Sequence, residues 1–193
     1  HSSRCSSAAS DVYKRQMQLL LIAILLPACS QSNDSNIKKG INAPEMDIHT
    51  AVISNNLEVV RQHIEAGTDI DVKEPFNGST PLISAATFGK KEIAKTLIDA
   101  GADLSITNND GSTSLHAAAF FGRVEIVQML IDANADRTLK NKFGATPRES
   151  VMAPFSEMKP VYQMMQQQLE PMGFELDMVE LEKTLPVVSM MLQ

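Results

Sequence analysis

Apolar residues recur along this chain in short bursts at helical spacing. Ile93, Leu97 and Ile98 form one burst, and Ile126, Leu130 and Ile131 repeat it 33 positions later. Such spacing puts the side chains on one face of a helix. A second phrase precedes each burst. Gly78-Ser79-Thr80-Pro81-Leu82-Ile83-Ser84-Ala85-Ala86 is rewritten as Gly111-Ser112-Thr113-Ser114-Leu115-His116-Ala117-Ala118-Ala119, and a third copy opens at Gly144-Ala145-Thr146-Pro147. A period of this length means stacked units, none of which buries its apolar face alone.

The polar positions mark where each helix starts and stops. Thr80 and Thr146 stand at N-cap positions, each followed by a proline (Pro81, Pro147) at the first helical position; Thr113 is their counterpart in the middle copy. Ala85, Ala86, Ala118 and Ala119 are small enough for neighbouring helices to approach closely. Gly67, Gly101 and Asn134 fall where a helix ends in the left-handed conformation. Gly78, Gly111 and Gly144 mark the turn into the next unit. One loop is a residue longer than its counterpart, with the insertion in residues 73–77.

These phrases resemble ankyrin repeats: Gly-x-Thr-Pro-Leu-His-x-Ala-Ala, then a Val-x-x-Leu-Leu helix, then Gly-Ala-Asp. The resemblance covers residues 44–150 and implies an all-α solenoid of about four helix–turn–helix units with short β-turn loops. The first unit is polar at its start (Asp47, His49, Asn55), as a capping repeat facing water should be. The second has Ile83 in place of the motif His, and the fourth diverges after Pro147. His49 and His116 match the motif His, whose ring is expected to bond to nearby backbone and Thr. Asp69, Asp103 and Asp136 recur with the repeat and are expected to bond loop amides. His63 is expected on a solvated helix face.

The resemblance also places a binding surface. Residues after the paired alanines line the concave face: Thr87, Phe88, Phe120 and Phe121. Loop tips supply Lys73, Glu74, Phe76, Asn108, Asn109, Lys142 and Phe143. Aromatic anchors commonly dominate interface energy. Phe76 and Phe88 are expected to be exposed; Phe121 either faces a partner or packs internally.

After residue 150 the period is lost. Residues 154–171 and 177–192 each carry apolar residues at helical spacing, the second run interrupted by Pro186. Two longer helices are predicted over 151–193, the second kinked or broken at Pro186, closing the end of the solenoid. Eight of the eleven methionines lie here. Thioethers can bind copper(I), but adjacent pairs such as Met164-Met165 point to different faces, so adaptable packing is the favoured use.

Composition narrows the partners. Residues 29–193 hold fourteen Lys and Arg against twenty-two Asp and Glu, a net of −8. That disfavours nucleic acid, which is bound by displacing counterions with basic surface. Serine-hydrolase, zinc-protease, phosphate-loop and dinucleotide signatures are absent from the sequence. A non-catalytic monomer without cofactor is the expectation, with a protein as partner.

Residues 17–28 are an apolar run too short to span a bilayer, which takes about 20 residues. They suit a signal peptide. Leu26-Pro27-Ala28-Cys29 resembles a bacterial lipobox, which implies lipidation at Cys29 and a polar tether over 29–43. Ser30 after the Cys implies an outer-membrane lipoprotein facing the periplasm. Residues 1–16 resemble translated adapter sequence and are set aside. Three readings follow: a protein-binding module on the envelope, an inhibitor or protector of a periplasmic enzyme, or a small-ligand or copper binder using the Met-rich tail.

Overall fold

A short polar side chain opens the first helix of each unit. Asp47 accepts the Thr50 N–H at 3.0 Å, Thr80 that of Ile83 at 3.3 Å and Thr113 that of His116 at 3.4 Å. Each satisfies an N–H that the helix cannot. The computed structural model describes residues 42–193; the leader, the signal segment, Cys29 and nearly all of the tether lie outside the described residues. From the three caps run α1 (Ile48–Ile53), with α2 (Leu57–Glu65) after it, α3 (Pro81–Phe88) with α4 (Lys91–Asp99), and α5 (Ser114–Phe120) with α6 (Val124–Asp132). A 3₁₀ turn (Glu149–Val151), α7 (Phe155–Leu169), a second 3₁₀ turn (Glu170–Met172) and α8 (Met178–Met191) complete the described residues, among which there is no strand.

The helices stack in two rows. First helices pack α1 on α3 on α5; second helices pack α2 on α4 on α6. This is the ankyrin-repeat fold. Ala85, Ala86, Ala118 and Ala119 are fully or almost fully enclosed within the first row, as their small size foretold. Ile93, Leu97, Ile126 and Leu130 seal the second row from water. Burying each such side chain contributes about 1.5–3 kcal/mol.

The fourth unit differs from expectation. Thr146 caps as predicted, accepting the Glu149 N–H at 3.2 Å, and the Glu149 carboxylate accepts the Thr146 N–H at 2.8 Å. Only the 3₁₀ turn follows, because Pro154 cannot donate and restricts Ala153 before it. That turn stands on α5, at the first-row position. The second-row position, on α6, is filled by α8, which also touches the turn. So three helix pairs are complete, and α8 serves as the second helix of the fourth after a detour through α7.

Pro186 lies inside α8 without breaking it. A mid-helix proline costs about 3 kcal/mol. Leu181, Leu185, Val188 and Leu192 are buried on the face toward the solenoid, and together they outweigh that cost. Asp177 also caps α8 twice, accepting the N–H groups of Val179 at 2.8 Å and Glu180 at 3.1 Å.

The longer loop has its own internal brace. Asn108 and Asn141 sit at equivalent loop positions, and each side-chain oxygen accepts the N–H groups two and four residues on. The equivalent residue of the longer loop is Glu74. Its carboxylate accepts from Phe76 at 2.6 Å, Asn77 at 2.7 Å and Ser79 at 3.2 Å. The longer side chain matches the extra residue.

Two glycines separate backbone strain from packing. Gly122 (φ 63°) and Gly144 (φ 75°) both occupy the left-handed region. A Cβ on Gly144 would meet nothing within 4 Å, whereas one on Gly122 would lie 2.5 Å from Thr184 Oγ1 and 2.8 Å from Leu181 Cδ1. Gly144→Ala should cost about 1 kcal/mol, the strain alone. Gly122→Ala should cost about 1–3 kcal/mol more by pushing α8 off the third unit. Urea unfolding of both variants checks this difference.

Candidate interaction surface

The loop tips form a continuous edge tied together between units. The Asn109 N–H donates to the Asn77 carbonyl at 2.7 Å, and one period later the Lys142 N–H donates to the Asp110 carbonyl at 2.9 Å. Asn109 Nδ2 donates to the Phe76 carbonyl at 3.3 Å, and Lys73 Nζ to that of Thr107 at 2.6 Å. Glu74 and Asn108 spend their side-chain oxygens inside their own loops, so they shape the edge rather than face a partner. What the edge presents outward is Phe76, 80% exposed, with Lys73 and Asn109 in the neighbouring positions and Lys142 exposed one loop further along. Phe143 is half-buried, its N–H held by Asn141 at 3.0 Å.

The helix-end strip is another matter. Phe88, expected to be exposed, stands edge-on to Phe174 with centroids 5.7 Å apart. Phe121 is buried and meets Phe174 at 5.1 Å; Phe120 meets Tyr162 of α7 at 4.9 Å. Thr87 is half-buried, its hydroxyl donating to the Ile83 carbonyl at 3.0 Å. The tail therefore covers three of the four residues assigned to the concave strip. The reason is physical: three Phe rings on one face are apolar surface that an attached chain can shield from water.

Arg123 is a key residue that the sequence reading missed. It donates to the carbonyls of Glu175 at 3.0 Å and Thr87 at 3.3 Å, and its guanidinium lies 5.7 Å from the Phe174 ring centroid. Burial draws its pKa below the ordinary arginine value. Its Nε has no hydrogen-bond partner among the described residues. Its place one residue after the motif Gly122 was the only available signal.

The motif histidines diverge. His116 behaves as expected: Nδ1 accepts the Thr113 N–H at 3.2 Å and lies 2.9 Å from the Thr113 hydroxyl, while Nε2 is 3.1 Å from the Ala145 carbonyl. With Nδ1 accepting, the geometry assigns the proton to Nε2, directed at Ala145. His49 does not follow, for both its ring nitrogens are buried without a partner among the described residues. The cap in the first unit is Asp47, which bonds Thr50 and leaves His49 one position early. The nearby Val72 carbonyl does not close a hydrogen bond of good geometry with it. His63, expected in solvent, is buried, with Nδ1 3.1 Å from the Thr68 hydroxyl and Nε2 2.8 Å from the Met46 carbonyl.

The recurrent aspartates brace loops. Asp69, Asp103 and Asp136 each accept the N–H two residues on, at 2.9, 2.8 and 2.8 Å. Among the described residues no group of three or more His, Cys, Asp or Glu could hold a metal. Met158, Met165, Met178 and Met191 pack on or within the core. No helix among the described residues is long and apolar enough to cross a membrane.

Residues 48–141 match the family model for ankyrin repeats in three copies, the same three helix pairs described above. The chain is 44% identical over 63 residues to human protein phosphatase 1 regulatory subunit 27, covering 33% of this chain and 40% of that one. With the mouse protein of that name it shares 36% over 96 residues, 50% of this chain and 59% of the other. It thus spans between two fifths and three fifths of these relatives. The crystal structure of the ankyrin repeat domain of Bcl-3 superposes with a TM-score of 0.52 at 32% identity, covering 53% of this chain and 45% of that one.

Burial holds the rings of His116 and His49 below their ordinary 6.5; the Ala145 carbonyl opposes this at His116, and the Asp47 and Glu74 carboxylates oppose it at His49. A ring that resists protonation when folded leaves stability untouched above about pH 7. Stability should fall as pH drops below about 6.5, where the unfolded rings take up protons. His116→Ile, copying Ile83 of the second unit, should cost about 1–3 kcal/mol at pH 7.5 through lost hydrogen bonds. It should also flatten the decline between pH 7.5 and pH 5, as read by urea midpoints.

Proposed function

We propose that this protein is a non-catalytic binding module that holds another protein against its loop-tip edge. The observation that carries the reading is the edge itself, with Phe76 80% exposed and Lys73, Asn109 and Lys142 exposed along the same run of braced loops. An exposed aromatic on a rigid support costs water contact unless something covers it, and such side chains anchor interfaces. The stacked helix pairs hold the edge rigid, as binding solenoids require.

The site of action proposed is the bacterial envelope. The apolar run 17–28 and the lipobox-like Leu26-Pro27-Ala28-Cys29 support it. Lipid on Cys29 would hold the repeats at the membrane through the polar tether, with the outer membrane and its periplasmic face as the proposed location. One acyl chain binds membranes only marginally, so stable anchoring needs more than one.

A second reading is favoured by the relatives. Two of them are named as regulatory subunits of a phosphatase. By analogy the partner of this chain is an enzyme, which the repeats inhibit or protect.

Affinity capture tests the binding reading. Residues 30–193 serve as bait in envelope extract of a Gram-negative host, beside a Phe76→Ala/Lys142→Ala variant. A protein held by the parent should be retained at least about tenfold less by the variant, the loss expected for one aromatic hot spot. Equal capture by both would remove the loop-tip edge from the interface. Turnover of a substrate by the purified protein would overturn the non-catalytic reading.

Anchoring is tested separately. The full chain expressed with labelled palmitate should carry label and sediment with membranes, and Cys29→Ser should lose both. Label-free parent protein would end the lipoprotein reading.

A further inference from the structure

The strip that the repeat pattern assigns to partners is already occupied. Phe174 reaches it from the connection into α8 and is 2% exposed. Its ring stands edge-on between Phe88 and Phe121, with the Arg123 guanidinium 5.7 Å from the ring centroid. One residue on, the Glu175 carbonyl accepts the Arg123 hydrogen bond at 3.0 Å. An anchor ring in an aromatic box, with the neighbouring main chain held by a cation, is how a bound peptide is gripped.

The segment that delivers Phe174 is lightly held elsewhere. Pro154 at the entrance of α7 gives no side-chain cap, and Pro160 lies inside the helix. Of its fifteen residues only Met158, Val161 and Tyr162 are buried. Its last turns run through Gln166, Gln167 and Gln168. Both ends of the segment are firm: the 3₁₀ turn at Glu149–Val151 rests on α5, and α8 rests on α6 behind its Asp177 cap. Residues 152–177 are thus a strap, tied at both ends and held between them mainly by Met158, Val161, Tyr162, Phe174 and Leu176. Segments with few buried contacts open at lower free energy than the core.

We propose that residues 170–177 are an intramolecular pseudo-ligand, and that the strip beneath binds in trans a peptide segment of the same chemistry. That segment presents an aromatic side chain to Phe88 and Phe121, and the next main-chain carbonyl to Arg123. The proposal rests on reading the strip as a recognition surface. With the strap down, the protein meets partners by its loop tips alone. With the strap up, Phe88, Phe120, Phe121 and Arg123 form a second surface open to partners. A partner that binds only the open form shifts the population toward it.

Two measurements on the full chain test this. In hydrogen exchange, amides of residues 161–174 should exchange at least about tenfold faster than the slowest amides of α3 and α5, by an opening that leaves those helices protected. Exchange of both sets in one global event would make the strap static core and overturn the proposal. In the second, a fluorescent peptide of residues 170–177 is titrated into Phe174→Ala and into the parent. It should bind the variant at least about tenfold more tightly, since the parent's own segment competes at high effective concentration. The same peptide with its Phe replaced by Ala should lose that binding. Equal binding to parent and variant, or none to a variant whose circular dichroism is unchanged, would overturn the proposal. If Phe174→Ala does not fold, the exchange result decides. Peptide binding without any captured protein would keep the strap and remove the partner reading; a captured protein without the faster exchange would do the reverse.

Discussion

Two short helices joined by a tight turn cannot shield their apolar side chains from each other and from water at once. Each pair here is stable only against the next, and every other feature of the molecule answers to that constraint. Ala85 and Ala118 are small because first helices must come close. Ile93 and Ile126 are large because the wider second row must be filled. The 33-residue period is the covalent record of that stacking.

Stacking leaves two ends, and the chain treats them differently. The first unit meets water with Asp47 as its cap, and the shift of cap by one position leaves the His49 ring without a partner among the described residues. At the other end the fourth unit stops after one 3₁₀ turn. The apolar face of the third unit would then lie bare. α8 covers it with Leu181, Leu185 and Val188, and the proline within that helix is tolerated because the burial is worth more than one backbone hydrogen bond.

The detour between the turn and α8 has a consequence for binding. A chain that must travel from one row to the other passes the ends of the first helices, where Phe88, Phe120 and Phe121 stand. Tyr162 and Phe174 are the side chains it lays there. The loop-tip edge, on braced turns away from this path, stays open to solvent. One surface of the repeat array is thus free, and the other is filled by the chain itself.

Sequence alone determined whatever depends on neighbours in the chain. The period, the Thr caps, the left-handed residues Gly101 and Asn134, the loop aspartates and the His116 bond to Thr113 all follow from contacts a few residues apart. The two tail helices were legible for the same reason, since periodicity is local. Tertiary structure decided what depends on distant contacts. That α8 takes the fourth place in the second row, that His63 is buried against Met46, and that Phe88 lies under Phe174 each join residues 17 or more positions apart. Periodicity says which face of a helix is apolar, but not which remote segment will cover it. Here two segments, a partner and the chain's own tail, could satisfy the same aromatic face, and only the fold shows that the tail does so.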